Sequence, residues 1–366
     1  MKNMKRIIAL LLSVVMLFAL VACGPKEQDN DDQQGNNDDQ QGESGFPTMT
    51  WKLGASGGET STWIIAGKHF AELMSEKTNG AITVECYGMD QLYGGNQVDG
   101  IQGVIDGTTD VDMHSNLIYA SFSDKFSVVS LPFLFNNTDE VDAVLDGEGG
   151  AALAKILEED YGLHFMGMGE NGFRHVSNNK NAIVTPADMK NLKIRVAGSK
   201  VLMEAYKAWG ADFTTANWSE VYTGLQTGTY DGQENPVPTM DSSAIQEVQK
   251  YVTYWTGSYD CLMFTMNGNL WNSLSPELQA IVTECAADTM EYQRKINREA
   301  DEGMLAKWES ENGVEIHYLT DEEAAAFKEL SAPVYDYYAN LLVSDCGMSA
   351  EEATAFLAAF GVEVNL

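Results

Sequence analysis

The first fifty residues divide by hydrophobicity into three segments. A basic stretch over residues 1–6 precedes an apolar run from Ile7 to Val21 that only Ser13 interrupts. This run has the length of a signal-peptide core, and it is shorter than the roughly 20 residues that a transmembrane helix needs. Residues 23–47 that follow are almost wholly polar and acidic, which predicts a disordered tether because such a segment buries too little apolar surface to order itself.

The apolar run ends with Leu20, Val21 and Ala22, directly before Cys23. Small residues just before a cysteine are typical of a bacterial lipoprotein signal. We therefore expect residues 1–22 to be a cleaved signal peptide and Cys23 to be lipidated, which would anchor the chain to the extracytoplasmic face of the cell membrane. The alternative is an ordinary signal peptide followed by an incidental cysteine.

Beyond the tether, strand-like alternation and helical periodicity succeed each other along the chain. Residues 48–54, 81–87 and 110–113 are predicted strands, and residues 59–79 and 98–106 are predicted helices. This order is typical of an α/β layer with a largely parallel sheet.

A second α/β unit is predicted to begin near Phe173. Thr185, Pro186 and Asp188 have the pattern of a capped helix start. A strand over residues 193–196, helices over 199–209 and 217–228, and a strand over 230–236 follow. Arg195 and Asn235 then lie near the carboxyl ends of two strands, where ligands bind in open α/β sheets, so both side chains are expected at one cleft.

The longest predicted helix runs from Ser275 to about residue 313. At 1.5 Å per residue it would be roughly 55 Å long, which exceeds the width of a single domain of this size. We therefore predict a two-lobed α/β fold with this helix spanning both lobes. The expected lobe boundaries are residues 48–172 plus about 261–300, and residues 173–260 plus about 301–366.

The formal net charge of −32 excludes one broad class of partner. Residues 1–22 hold three basic residues and no acid, and residues 23–47 hold one lysine and seven acids, which leaves about −29 on the body. Binding to nucleic acid through phosphates is implausible at this charge. A pocket for a small anion would need its own local positive charge, so the few arginines are informative.

Motifs for catalysis and for metal binding are missing from the sequence. It has no G-x-S-x-G, phosphate-binding-loop or H-E-x-x-H motif, and its five histidines share no metal-ligand spacing. We expect no metal, no cofactor and no enzymatic activity, with an extracellular hydrolase as the alternative. Cys86, Cys261, Cys285 and Cys346 allow either one or two disulfides or single buried thiols.

Several ordered segments carry a family resemblance. They are Gly172-Phe173-Arg174, residues 185–196, residues 218–228 and residues 231–236, together with residues 131–135 and Gln91-Leu92. Over residues 48–340 the sequence closely resembles the DctP-type solute-binding proteins of tripartite ATP-independent (TRAP) transporters. The resemblance implies a two-lobed, periplasmic-binding-protein-like receptor that closes around a small organic acid and delivers it to a membrane permease.

The resemblance also implies which residues bind the ligand. Arg195 matches the arginine that binds the ligand carboxylate, Arg174 and Asn235 match two further contacts, and Trp218 stands where phenylalanine is usual. Gly198 stands where asparagine or another polar residue is frequent. In the first lobe, the match to ligand-binding positions of the family is looser. The candidates there are Glu59, Thr60, Ser61, Asn96, His114 and Ser115.

Alternatives remain for these residues and for the function. Arg195 could form a salt bridge, which is natural in a chain with 54 acidic residues, and Trp218 could be core packing. An ABC-type binding lipoprotein or a ligand-binding sensor would use the same two-lobed design. The acid could be a monocarboxylate or a dicarboxylate, although Trp218 favours a ring or a flat apolar body. We expect the protein to be monomeric.

Overall fold

The structure, a computed structural model, describes residues 45–364, apart from the side chain of Glu302. The predicted signal peptide, Cys23 and residues 24–44 of the predicted tether lie outside the described residues. Within the described part of the chain, no helix is long and apolar enough to cross a membrane.

The first sheet has five strands, and helices pack against it. Its order is β2-β1-β3-β10-β4; the strands are β1 (Met49–Ala55), β2 (Ile82–Tyr87), β3 (Val111–Ser115), β4 (Leu163–Phe173) and β10 (Tyr259–Asn267). The helices in this half are α1 (Thr62–Lys77), α2 (Gln97–Asp106), α3 (Asn116–Tyr119), α4 (Thr138–Leu145) and α5 (Glu148–Tyr161), with 3₁₀ turns at Gln91–Tyr93 and Asp124–Ser130. Ser61 caps α1 by accepting a hydrogen bond from the backbone N–H of Ile64.

The second sheet has six strands in the order β11-β9-β5-β8-β6-β7. The strands are β5 (His175–Asn178), β6 (Lys193–Val196), β7 (Asp212–Thr215), β8 (Gly232–Asn235), β9 (Tyr251–Tyr254) and β11 (Glu315–Tyr318). The associated helices are α6 (Lys200–Ala208), α7 (Trp218–Gln226) and α8 (Val237–Ser242), with 3₁₀ turns at Pro186–Met189 and Ile245–Glu247.

Both sheets are largely parallel, as the sequence predicts, and each contains one strand that runs against the others. In the first sheet β10 runs antiparallel to both β3 and β4, and in the second β5 runs antiparallel to both β8 and β9. The chain passes from one sheet to the other three times: directly between β4 and β5 and between β9 and β10, and after intervening helices between β10 and β11. The two strands that enter a sheet directly from the other one, β5 and β10, run against the remaining strands of their sheets, whereas β11 runs parallel to β9.

One long helix contacts both halves, as the sequence predicts. Helix α10 (Pro276–Lys307) has 32 residues, about 48 Å at 1.5 Å per residue, and a π-helical turn continues it to Asn312. Near its start, Glu284 and Asp288 pair with Lys77 and His69 of α1. Near its end, Asp301 accepts a hydrogen bond from Tyr254 of β9.

The C-terminal helices also join the two halves. After the short α9 (Gly268–Ser273) and after α10 come α11 (Asp321–Ser344) and α12 (Ala350–Ala358). In α11, Ser331 accepts a hydrogen bond from Trp209 Nε1, beside α6, while Tyr338 donates to the carbonyls of Asp124 and Lys125. The lobe boundaries given above stay predictions, since α11 contacts segments assigned to each lobe.

Candidate functional site

A cavity lies between the two sheets, with about 360 Å³ of space between the atoms that line it. Both sheets contribute to its wall, together with the strands that cross between them. The lining residues are Ser56, Gly57, Trp63, Gln97, Ser115, Ile118, Asn171, Arg174, Arg195, Ala197, Trp218, Asn235, Thr239 and Asp260.

Arg195, on β6, is a buried cation to which no carboxylate of the described residues is bonded. It is 2% exposed, and within residues 45–364 its hydrogen bonds go from Nε and Nη2 to the carbonyl oxygen of Ala216, leaving Nη1 without one. Burial lowers the pKa of Arg195 to about 10. The negative charge of Glu234 acts against this decrease, and the positive charge of Arg174 adds to it. The group is therefore still charged at neutral pH, and an anion in the cavity would compensate that charge.

Arg174, which follows β4, is instead fully paired. Its Nε and Nη2 donate to the carboxylate of Glu234, and its Nη1 donates to Asp260 Oδ2. Burial would lower the pKa of Arg174, but the two carboxylates outweigh it and hold the pKa above its ordinary value. Arg174 lines the cavity as part of an ion-pair network and not as a free cation.

Trp218, Asn235 and Gln97 complete the wall around Arg195. The guanidinium carbon of Arg195 lies 5.7 Å from the centroid of the Trp218 ring, within cation–π range. Asn235 donates to Gln233 Oε1, and its Oδ1 has no hydrogen bond within the described residues. Gln97, from the first half, accepts a hydrogen bond from the backbone N–H of Trp218 at 3.0 Å.

Comparison with known proteins gives the family. The model of the bacterial extracellular solute-binding proteins, family 7 (DctP), matches residues 53–341. The chain belongs to this family. Together with the two-lobed fold, the match identifies a TRAP-type solute-binding protein and not an enzyme, as the sequence predicts.

Relatives of this solute-binding protein cover most of its length. The 2,3-diketo-L-gulonate-binding periplasmic protein YiaO of Escherichia coli is 34% identical over 286 residues, 78% of this chain and 85% of the relative. The C4-dicarboxylate-binding periplasmic protein DctP of Rhodobacter capsulatus is 31% identical over 287 residues, again 78% and 85%. A TRAP periplasmic solute-binding protein from Ralstonia eutropha, crystallised with bound (S)-2-acetolactate, has a TM-score of 0.78 at 31% identity, covering 85% of this chain and 98% of that one.

The structure brings five of the predicted site residues of this solute-binding protein to the cavity: Arg174, Arg195, Ser115, Trp218 and Asn235. The other predicted positions lie outside the lining. Glu59 and Thr60 are exposed, with Glu59 paired to Lys68. Ser61 and Asn96 cap α1 and α2. Helix capping accounts for the polar side chains at these last two positions.

His114 is buried behind the wall, between two carboxylates. Its Nδ1 lies 2.5 Å from Asp112 Oδ1 and its Nε2 lies 2.6 Å from Asp90 Oδ1. Burial would lower the pKa of His114, but Asp112 and Asp90 raise it to about 10. The charged imidazolium therefore joins β3 to the turn at Asp90, and its ring nitrogens are occupied there.

Several lining residues could not be found from the sequence. Asp260 accepts hydrogen bonds from Ser115 Oγ and Asn171 Nδ2 as well as from Arg174, yet it is one acid among 54 in the sequence. The others are Ser56, Gly57, Trp63, Gln97, Ile118, Asn171, Ala197 and Thr239. Glycine is required at position 57 for a steric reason: a Cβ there would collide with the Ser61 side chain that caps α1.

Gly198, where a polar residue is frequent in the family, faces the opposite half. A Cβ at this position would meet Ser121 Oγ at 3.7 Å. The backbone at Gly198 does not require glycine. A side chain at this position would extend between the two halves beside the cavity, and glycine leaves that space without one.

The thiols and possible metal ligands add no second site. Cys86, Cys261, Cys285 and Cys346 are all unpaired, which resolves the alternative between disulfides and thiols in favour of thiols. In the part of the chain that the structure describes, no group of three or more histidine, cysteine, aspartate or glutamate side chains is arranged to hold a metal ion.

Proposed function

We propose that this chain is the receptor of a TRAP transporter, that it captures a small organic acid in the cavity between its lobes, and that Arg195 binds the acid's carboxylate. The observation that carries the proposal is the state of Arg195: a buried guanidinium that lines the cavity and has no carboxylate partner within residues 45–364. A planar guanidinium matches a carboxylate with two parallel charge-assisted bonds.

The ligands of the relatives support this ligand class, since they are a sugar acid, C4-dicarboxylates and a hydroxy-oxo acid. Trp218 would cover one side of the ligand, and Asn235 Oδ1 would accept a hydrogen bond from it. Arg174, through its ion pairs with Glu234 and Asp260, would hold the side chains of the cavity wall in position. Delivery to a membrane permease and lipid anchoring through Cys23 complete the proposed role, with the protein acting as a monomer outside the cytoplasm.

Calorimetry with the full chain tests the proposal. An organic-acid library that includes 2,3-diketo-L-gulonate, (S)-2-acetolactate, galactonate and succinate would first give the acid that binds most tightly. Arg195→Ala should then weaken binding of that acid by about 2–5 kcal/mol, roughly 30-fold to several-thousand-fold, because the buried carboxylate loses its partner. Arg195→Lys should lose at least tenfold, because an ammonium group cannot replace the two-pronged contact.

Arg294→Ala is the matched control. Arg294 lies on α10 and pairs with Asp146 away from the cavity, so its removal should leave the affinity unchanged. Near-normal affinity of the Arg195 variants would contradict the assigned role, and failure of every acid in the library to bind would contradict the proposed function.

A further inference from the structure

One of the charged side chains that line the cavity has no direct ion-pair partner within the described residues. Arg174, Arg195 and Asp260 are the charged residues that line it. Arg174 is bonded to both Glu234 and Asp260, whose side chains are fully buried. Of the two arginines, only Arg195 has no carboxylate bonded to it within residues 45–364, and the described lining contains no lysine or histidine.

A second carboxylate on the ligand would therefore find no free cation. Arg174 already has two carboxylate partners, and the oxygens of Asp260 accept hydrogen bonds from Ser115, Asn171 and Arg174. A dianionic ligand would bring its second charge into the same enclosed space as Asp260. An unpaired buried carboxylate is strongly unfavourable, so the cavity is suited to one carboxylate.

The wall offers neutral hydrogen-bonding groups instead. Trp63, in the first turn of α1, lines the cavity and is 4% exposed, and its Nε1 is buried without a hydrogen-bond partner among the described residues. Buried donors are nearly always partnered. A hydroxyl or carbonyl oxygen of a bound molecule would supply the missing acceptor.

We propose that the ligand is an acid with a single carboxylate, bound by Arg195, and that a neutral oxygen elsewhere on the same molecule accepts a hydrogen bond from Trp63 Nε1. This inference rests on the proposed function and narrows it to monocarboxylates that carry hydroxyl or oxo groups. The relatives do not decide the number of carboxylates, because their ligands include both a sugar acid and C4-dicarboxylates.

Matched pairs of acids test the carboxylate number. Calorimetry of the full chain would compare galactonate with galactarate and threonate with tartrate, which differ by a terminal hydroxymethyl or carboxylate, and butyrate with succinate. In the pair that binds most tightly, the monocarboxylate should bind at least tenfold more tightly than the dicarboxylate. Equal or tighter binding of the dicarboxylate would overturn the inference and leave the proposed function standing. Binding by none of the six would overturn the inference, and binding by no acid of the library either would overturn the proposed function as well.

Two tryptophan variants test the hydrogen bond. Trp63→Phe removes the N–H and keeps most of the ring, and it should weaken binding of the tightest of the six acids by about five- to tenfold. Trp51→Phe is the matched control: Trp51 Nε1 is also buried without a partner, but Trp51 lies on β1 outside the cavity lining and its replacement should leave affinity unchanged. Equal effects of the two variants, or none from Trp63→Phe in a chain with unchanged melting temperature, would overturn the role of Trp63.

Discussion

Two arginines at the same cavity have different electrostatic surroundings. Arg174 is held by Glu234 and Asp260, whereas Arg195 is bonded to the carbonyl of Ala216. Removing one partner of a buried ion-pair network leaves the remaining charges uncompensated, which is strongly destabilising. Removing a cation that has no anionic partner leaves no such charge behind. The two residues should therefore affect folding very differently, although both line the site.

Urea unfolding of the ligand-free full chain measures this difference. Arg174→Met should lower the free energy of unfolding by about 3–5 kcal/mol. Arg195→Met should lower it by about 1 kcal/mol or less, the value of the lost bond to Ala216. Equal losses would contradict the distinction between a structural and a ligand-binding arginine.

The sequence predicts the residues of the second half better than those of the first. Arg195, Trp218 and Asn235 lie in ordered motifs next to strand ends, so both the resemblance and the strand pattern point to them. Asp260 reaches the cavity because β10 pairs with β3, and Trp63 reaches it through the packing of α1. No local sequence pattern predicts either position. Polar loop residues such as Ser61 and Asn96 resemble site residues in sequence because helix caps use the same side chains.

At the scale of elements, helix α7 is capped from the opposite side of the cavity. Its own N-cap residue, Asn217, makes no side-chain capping bond. Instead Gln97 of α2 accepts the N–H of Trp218, and Ser219 Oγ donates to the carbonyl of Gly95 at 3.0 Å. These bonds join the two halves, so they stabilise the arrangement in which the cavity is enclosed.

Ser219→Ala should therefore weaken ligand binding although Ser219 does not line the cavity. Loss of one hydrogen bond worth about 0.5–1.5 kcal/mol predicts a two- to tenfold weaker affinity, expressed mainly as faster dissociation. Stopped-flow kinetics with the tightest acid would measure it. Thr227→Ala, at the other end of α7, is the control, because Thr227 Oγ bonds within its own segment. A dissociation rate unchanged by Ser219→Ala would contradict this role of α7.

Helices and strands whose ends are marked by capping or turn residues are predicted from sequence more reliably than elements that depend on tertiary pairing. Strand β6 covers the predicted residues 193–196, and α10 begins at the predicted Ser275 cap. The capped start at Thr185 forms its capping box but continues for only one 3₁₀ turn. Lys190 is extended and Asn191 has a φ of 64°, so the chain turns at once into β6. The direction of β10 follows from its passage between sheets, which periodicity cannot show.

At the scale of the whole molecule, an acidic body surrounds one buried guanidinium to which no carboxylate of the described residues is bonded. The formal net charge of −32 repels anions at long range, so capture depends on the local field of Arg195 inside the cavity. Tethering would hold such a receptor near a membrane permease. Cys23 lies outside the described residues, and its lipidation stays a prediction of the sequence.

Replacing the predicted anchor tests that arrangement. Cys23→Ser should shift the protein from the membrane fraction to the soluble fraction and remove the acyl mass from the purified chain, while acid binding is kept. Cys346→Ser, which changes another unpaired cysteine, should leave the protein with the membranes. Membrane retention and an unchanged mass in the Cys23 variant would contradict lipidation at this residue.

The most direct test of the central claim is a crystal structure of the chain with the most tightly bound acid of the library. We predict a carboxylate of that acid within hydrogen-bonding distance of Arg195 Nη1, between Trp218 and Asn235, with Arg174 still bonded to Glu234 and Asp260. A carboxylate bound elsewhere, with Arg195 contacting only Ala216, would contradict the account.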